Sequence, residues 1–89
     1  MTQEHIDNGV AQACEACPIA LAILDAIPRA AYCDVEADHV QLWFDVEADV
    51  IMDAPDREAD MPLIAANFVT DFDAGRPVRP FEFELGVTL

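Results

Sequence analysis

One stretch decides how this chain folds: residues 14–28, which read CEACPIALAILDAIP. It holds two of the three cysteines and the most apolar run of the sequence. Cys17 stands at the N-cap position, and Pro18 occupies the first helical position, where its missing N–H leaves no hydrogen bond unmade. Residues 19–27 are apolar on nearly every helical face, which is typical of a helix packed on more than one side. We therefore expect a central, buried helix that Pro28 terminates.

The residues before this stretch predict one short helix and a connection. Residues 2–9 form the helix, with Thr2 as its cap and Gly9 closing it in a left-handed conformation. Residues 10–16 are expected to form an irregular linker. His5 is interpreted as a solvated surface histidine rather than a metal ligand.

After the central helix the sequence changes from a helical to an alternating pattern. This alternation predicts a three-stranded antiparallel meander over residues 30–54. The strands are expected at residues 31–35, 40–46 and 50–52. Trp43 falls on the polar side of its strand, so we expect a helix or a partner to cover it.

The next segment predicts an amphipathic helix over residues 61–74, with Asp60 as its N-cap. Gly75 is expected to close this helix. Its apolar stripe consists of Ile64, Phe68 and Phe72, flanked by Leu63 and Val69.

Strict alternation over residues 81–85 predicts a final strand, with its aromatic and leucine side chains inward and Glu82 and Glu84 outward. The whole chain, residues 1–89, is predicted to be a single α+β domain in the order α-α-β-β-β-α-β. Its two main helices are expected on one face of a small, mostly antiparallel, four-stranded sheet.

The charge of the chain limits its partners. Eighteen acidic residues face four arginines, and the formal net charge is −14. Repulsion excludes nucleic acid and anionic membranes as direct partners and favours a basic protein surface or a cation. The same acid excess would also keep a small apolar protein soluble or adapt the chain to high salt, and both interpretations stay open.

Length and hydropathy bound the remaining properties. Apolar residues make up 54% of the 89 residues, which is high for a small monomer, so a homodimer stays open. No stretch reaches the ~18 apolar residues that a membrane span needs. The N-terminus carries no basic region before an apolar run, so we expect a cytoplasmic protein with reduced thiols.

Three motifs together resemble small uncharacterised proteins of actinobacterial phages and their hosts. They are HIDxG at residues 5–9, CxxCPIALAI at residues 14–23 and FDxGxPVxPFxFEL at residues 72–85. The resemblance spans most of the chain, although the middle strands match only in pattern. It implies a phage accessory protein that acts on a host protein, and it supplies no activity.

The cysteines allow three interpretations. Small buried thiols near the start of the helix are the first. A zinc site is the second, with Cys14, Cys17, Cys33 and His39 as the ligand set and His5 able to replace His39. A redox pair ranks third, because the second cysteine rather than the first stands at the helix cap.

The acidic residues are the remaining candidate site. The sequence DVEAD occurs at residues 34–38 and again at residues 45–49. A docking surface for a basic protein is expected from both copies and from the final strand. Its residues are Asp34, Glu36, Asp38, Asp45, Glu47, Asp49, Glu82 and Glu84.

The sequence lacks the residues that several classes of enzyme and ligand-binding site require. The sequence has no serine and only three glycines, so it offers no serine nucleophile and no glycine-rich phosphate loop. The Asp71–Gly75 segment does not match an EF-hand, because its fifth position is glycine and its sixth is Arg76. We therefore predict a protein that is not an enzyme and needs no cofactor, with zinc as the one exception left open.

Overall fold

Three helices and a three-stranded antiparallel sheet make up the part of the chain that the computed structural model describes, residues 1–50 and 52–86. The sheet order is β1-β2-β3. The predicted α+β class is confirmed. The elements are α1 (Gln3–Asn8), α2 (Pro18–Ala26), β1 (Tyr32–Val35), β2 (His39–Trp43), β3 (Arg57–Asp60) and α3 (Leu63–Asp73).

Helix α1 begins as predicted and ends differently. Thr2 and His5 form a reciprocal capping box at its N-terminus. Gly9 has an extended φ of −73°, so the predicted left-handed closure is wrong. Glycine is needed here for space, because a Cβ on Gly9 would lie 2.5 Å from the Pro18 ring. The prediction of a solvated His5 is also wrong: its side chain is 15% exposed and its Nε2 contacts the Asp25 carboxylate.

Helix α2 begins and ends as the sequence predicts. Cys17 is its N-cap, Pro18 is its first residue and Ile27 is its C-cap, directly before Pro28. Ile19 and Ala20 are fully buried. The α2 side chains share one apolar cluster with Cys33, Val35, Val40 and Leu42 from the sheet and with Met61, Ala65 and Phe68 from the α3 region. Paired strand residues point to the same side, so this cluster lies on one face of the sheet, where α2 packs against β1.

The third strand lies later in the chain than predicted. Val50 and Met52 lie in turns, and Ile51 is outside the described residues. Residues 57–60 pair with β2 instead. Their sequence, READ, has little intrinsic strand preference. The pairing depends on β2 as a template and on Ala59, which is 9% exposed and packs inward.

A loop covers Trp43 on the outer face of the sheet. The indole is 2% exposed. Its Nε1–H donates to the carbonyl of Asp53 at 3.1 Å, and the Tyr32 hydroxyl donates to the carbonyl of Val46 at 2.6 Å. The expectation of a covering helix or partner is therefore wrong, because loop residues that follow β2, including Asp53, lie over this side chain.

Helix α3 starts later than predicted and buries only part of the predicted stripe: Phe68 is buried, and Val69 and Phe72 pack against the core. Asp60 belongs to β3, and Pro62 is the N-cap without a side-chain hydrogen bond. Ala65 and Phe68 are the buried residues of this helix. Leu63 is 76% exposed and Ile64 is 55% exposed, so the expectation that they pack inward is wrong.

The end of α3 follows the prediction. Gly75 has a φ of +74°, in the left-handed region that favours glycine. Its N–H donates to the carbonyl of Phe72 at 3.1 Å, and the N–H of Arg76 donates to that of Asp71 at 2.9 Å. These two bonds form a Schellman motif, which satisfies carbonyls at the helix end.

The segment after α3 alternates in burial without forming a strand. Phe81, Phe83 and Leu85 are partly buried against the core, and Glu82 and Glu84 are exposed. None of residues 81–86 belongs to the sheet, so the predicted fourth strand is wrong for this described segment. Ring contacts hold it instead: the Phe68 and Phe81 centroids are 5.2 Å apart. The N-terminal ammonium also donates to the carbonyl of Phe81 at 3.0 Å.

No helix within the described residues has the length and apolarity needed to cross a membrane.

Matched leucine truncations test this core. Leu42 is 1% exposed and Leu63 is 76% exposed. We expect Leu42→Ala to lower the free energy of unfolding by about 2–5 kcal/mol, because it removes buried contacts and leaves a cavity. Leu63→Ala should change it by less than ~0.5 kcal/mol. Urea denaturation measures both, and equal losses would contradict this assignment of the core.

Candidate functional site

The outer face of the sheet presents two cross-strand rows of polar side chains. Strand register places Asp34 opposite Gln41 and Gln41 opposite Glu58. In the second row His39 lies opposite Asp60, and the N–H of Glu36 donates to the carbonyl of His39 at 2.9 Å. Asp38 lies in the turn between β1 and β2. We call this surface the acidic face; it consists of Asp34, Glu36, Asp38, Glu58 and Asp60.

The acids of this face lie within mutual repulsion distance. Neighbouring strands are about 4.8 Å apart, and residues two apart on one strand are separated by roughly 6.6 Å. Repulsion from Asp34 is the main cause that raises the pKa of Glu36, followed by partial burial and a hydrogen bond to Asp34. Like charges disfavour the ionised form, so a nearby cation would stabilise this carboxylate.

His39 brings a cationic group to this face through an ion pair with Asp38. Its Nδ1 and the Asp38 carboxylate are 2.7 Å apart. This hydrogen bond raises the pKa of His39 and lowers that of Asp38. One histidine against five carboxylates leaves the face strongly negative.

Three arginines make contacts away from the acidic face. The guanidinium carbons of Arg29 and Arg57 lie 4.7 and 5.3 Å from the ring centroid of Phe44. Arg76 pairs with Asp71 at 3.0 Å after the end of α3. Cation–π stacking thus engages two of the four arginines beside the far end of β2.

The second DVEAD copy has a different structure and a different role. Val35 of the first copy is 3% exposed, whereas Val46 of the second is 73% exposed. The carboxylate of Asp45 accepts the N–H of Glu47 at 2.9 Å. Asp49 accepts the N–H of Met52 at 3.3 Å. The aspartates of this loop therefore satisfy backbone donors in turns, as aspartate commonly does.

The structure gathers only part of the predicted acidic surface. Asp34, Glu36 and Asp38 lie together near the N-terminal end of β2. The second DVEAD copy, residues 45–49, comes after the C-terminal end of that strand. Glu82 and Glu84 are exposed on the segment that packs beside Met1. Sequence reasoning missed Glu58 and Asp60, because it placed the third strand elsewhere. One pattern in the sequence could have located this strand: two acids, Glu58 and Asp60, alternate with the apolar Ala59.

The cysteines separate into one exposed and two buried thiols. Cys14 is exposed, and Cys17 and Cys33 are 4% and 1% exposed. Burial raises the pKa of Cys33 to about 12. It also raises the pKa of Cys17, although backbone N–H groups at the start of α2 oppose the shift. Both buried thiols are therefore poor sources of thiolate.

A mixed group forms around Cys14 instead of the predicted Cys14, Cys17, Cys33 and His39 set. The Cys14 thiol and one carboxylate oxygen each from Asp34 and Glu36 lie within 4.8 Å of one another. The described residues contain no second group of three such ligands at this spacing. The carbonyl of Cys14 accepts the N–H of Val35 at 2.9 Å, which fixes this loop beside β1.

One oxygen of this group lacks a partner. Asp34 Oδ1 is buried and makes no hydrogen bond with any described residue. Burial and the charges of Glu36 and Asp34 together raise the pKa of Cys14. A bound cation would reverse both effects, because it partners the oxygen and favours the thiolate.

No protein-family model, curated protein or solved structure matches this chain. The acidic face and the Cys14 group are the two candidate sites that the described residues form. The cavity of about 310 Å³ between α2 and the C-terminal segment adds little chemistry. Its lining side chains are all apolar: Met1, Ala22, Ile23, Ala26, Ile27, Phe83 and Leu85.

The buried thiols predict a loss of stability at high pH. Cys33 has a pKa of about 12 in the folded chain, against about 8.5 for a free thiol. Its contribution is complete below pH ~8.5 and is lost as pH rises toward 12, because the unfolded chain releases the proton first. Cys33 alone should raise the equilibrium constant for unfolding by up to about tenfold per pH unit, and Cys17 adds to that slope.

Urea denaturation across this pH range measures the effect. The slope should be shallower in Cys33→Ala, which retains Cys17 as a buried thiol. It should change less in Cys14→Ala, because the Cys14 thiol is exposed. A slope that is equal in the wild type and Cys33→Ala would contradict the assignment to Cys33.

Proposed function

We propose that this chain is a non-enzymatic binding protein whose acidic face receives a basic surface of another protein. The observation that carries the proposal is the cluster of five carboxylates beside His39, in which repulsion from Asp34 raises the pKa of Glu36. An arginine or lysine side chain placed between the two rows relieves that repulsion. It also forms charge-assisted hydrogen bonds, which are stronger than neutral ones.

The rest of the molecule supports this function. A net charge of −14 repels polyanions and steers cationic partners toward the chain. The buried thiols disfavour the thiolate that a cysteine nucleophile requires. The resemblance to small actinobacterial phage proteins suggests that the partner is a host protein, and we propose a phage accessory role on that ground.

Charge-neutral variants test the acidic face. We expect Glu36→Gln combined with Glu58→Gln to weaken binding of a labelled, short arginine-rich peptide. Two exposed ion pairs at about 0.2–1 kcal/mol each correspond to a loss of roughly two- to thirtyfold. Fluorescence anisotropy at increasing sodium chloride measures the affinity, which should fall as salt screens the charges.

The matched control is Glu82→Gln combined with Glu84→Gln. It removes the same charge from exposed residues outside the acidic face. The control should bind almost as the wild type does. Equal weakening by both pairs of substitutions would mean that only net charge attracts the peptide, and the proposal would fail.

A second candidate function is divalent-cation binding by Cys14, Asp34 and Glu36. Two observations favour it: the three ligand atoms lie within 4.8 Å of one another, and Asp34 Oδ1 is buried without a partner. Thiolate and carboxylate are both zinc ligands, and a tetrahedral site spaces them about 3.5 Å apart. Cys14, Asp34 and Glu36 would supply three protein ligands to Zn²⁺.

Thermal unfolding with zinc tests this candidate. Zinc that binds the folded chain raises its midpoint in proportion to RT ln(1 + [L]/Kd). We expect Cys14→Ser to abolish most of that rise, and Glu47→Gln, an acid outside the group, to preserve it. Native mass spectrometry should show one ion per chain. An equal midpoint shift in the Cys14→Ser variant would exclude this site.

A further inference from the structure

We infer that the partner docks as an extended basic segment on the edge of β3 that no other described strand pairs with, adding a fourth strand to the sheet. This inference rests on the proposed function and names the form of the partner. Strand addition supplies affinity through main-chain hydrogen bonds and specificity through alternate side chains.

The hydrogen-bond pattern shows which backbone groups of β3 face outward. The N–H of Met61 donates to the carbonyl of Asp38 at 2.9 Å, so this pair belongs to the hydrogen-bonded class. Such pairs alternate along an antiparallel ladder, which makes Ala59 face β2. Glu58 and Asp60 therefore direct their N–H and C=O groups away from β2.

The same alternation holds between β1 and β2. The N–H of Glu36 donates to the carbonyl of His39, so His39 and Gln41 face β1. Val40 and Leu42 then face β3, as the β3 pattern requires. On β1, the residues that face outward are Cys33 and Val35.

The two sheet edges differ in accessibility. Cys33 and Val35 are 1% and 3% exposed, and the N–H of Val35 already donates to Cys14. Glu58 and Asp60 are both exposed. A shallow depression of about 350 Å³ lies beside them, lined by His39, Glu58, Ala59, Asp60 and Gly86. The edge that can accept a strand is therefore β3.

Charge decides which strand fits. An added strand would extend the two polar rows of the acidic face. One of its side chains would lie beside Glu58, and the side chain two residues further along would lie beside Asp60. Opposite charges in such cross-strand pairs are stabilising and like charges are destabilising. The fitting segment carries arginine or lysine at every second position. A second copy of β3 is disfavoured, because pairing it with itself would bring Glu58 and Asp60 against carboxylates.

Backbone methylation of a peptide separates strand addition from simple charge attraction. The probes are short peptides of alternating arginine and valine: one unmodified, one N-methylated at every arginine and one N-methylated at every valine. All three carry the same charge. On an antiparallel strand the residues opposite Glu58 and Asp60 point their N–H groups toward β3. Methylation at arginine should then weaken binding at least about tenfold, and methylation at valine less than about threefold.

Amide hydrogen exchange of the wild-type chain gives a second readout. Saturation with the unmodified peptide should slow exchange of the Glu58 and Asp60 N–H groups at least about tenfold, because both become hydrogen-bonded. The N–H of Val35, which is bonded already, should exchange at an unchanged rate.

The outcomes distinguish the two proposals. A parallel addition reverses the roles of the two methylated peptides and still supports docking at β3. If the unmodified peptide binds and both methylated peptides bind equally, docking is by charge alone and strand addition is overturned. If the unmodified peptide fails to bind, the proposed function fails. A dimer that protects Glu58 and Asp60 without any peptide would also overturn strand addition.

Discussion

The packing of α2 against the inner face of the sheet is the contact on which the rest of this chain depends. Ile19, Ala20 and Ile23 meet the strand residues Val40 and Leu42 in one apolar cluster. Because a side-chain period of two governs each strand, fixing the inner residues also fixes the outer ones. The two polar rows are therefore a consequence of the core. A shift of one residue in strand register would bury those carboxylates and expose the valines and leucine.

The repeated pentapeptide shows how little an acidic sequence specifies by itself. In the first copy the valine enters the core, and the acids flanking it emerge together on the outer face. In the second copy the valine is exposed and the aspartate carboxylates accept backbone N–H groups. Local composition is the same in both. What differs is a neighbouring strand: β2 pairs with the first copy, whereas the second has no ladder partner among the described residues.

Features governed by local chemistry could be predicted from the sequence. The Cys17–Pro18 start of α2 and the left-handed Gly75 depend on only a few residues. Features governed by tertiary contacts could not. β3 forms because β2 offers it a template, Trp43 is covered by a loop, and Leu63 and Ile64 are exposed where the helical pattern placed them inside. Three residues of the acidic face were predictable from their spacing; Glu58 and Asp60 depended on the misplaced strand.

The buried outer edge of β1 has a consequence for assembly. A sheet with two accessible edges can grow in both directions and seed a fibre. Here Cys33 and Val35 are almost inaccessible, so a strand added at β3 would meet a sheet whose other edge is covered within the described residues. The molecule would then be monovalent for strand pairing. It would bind one extended segment at β3 and would not link two segments through its sheet.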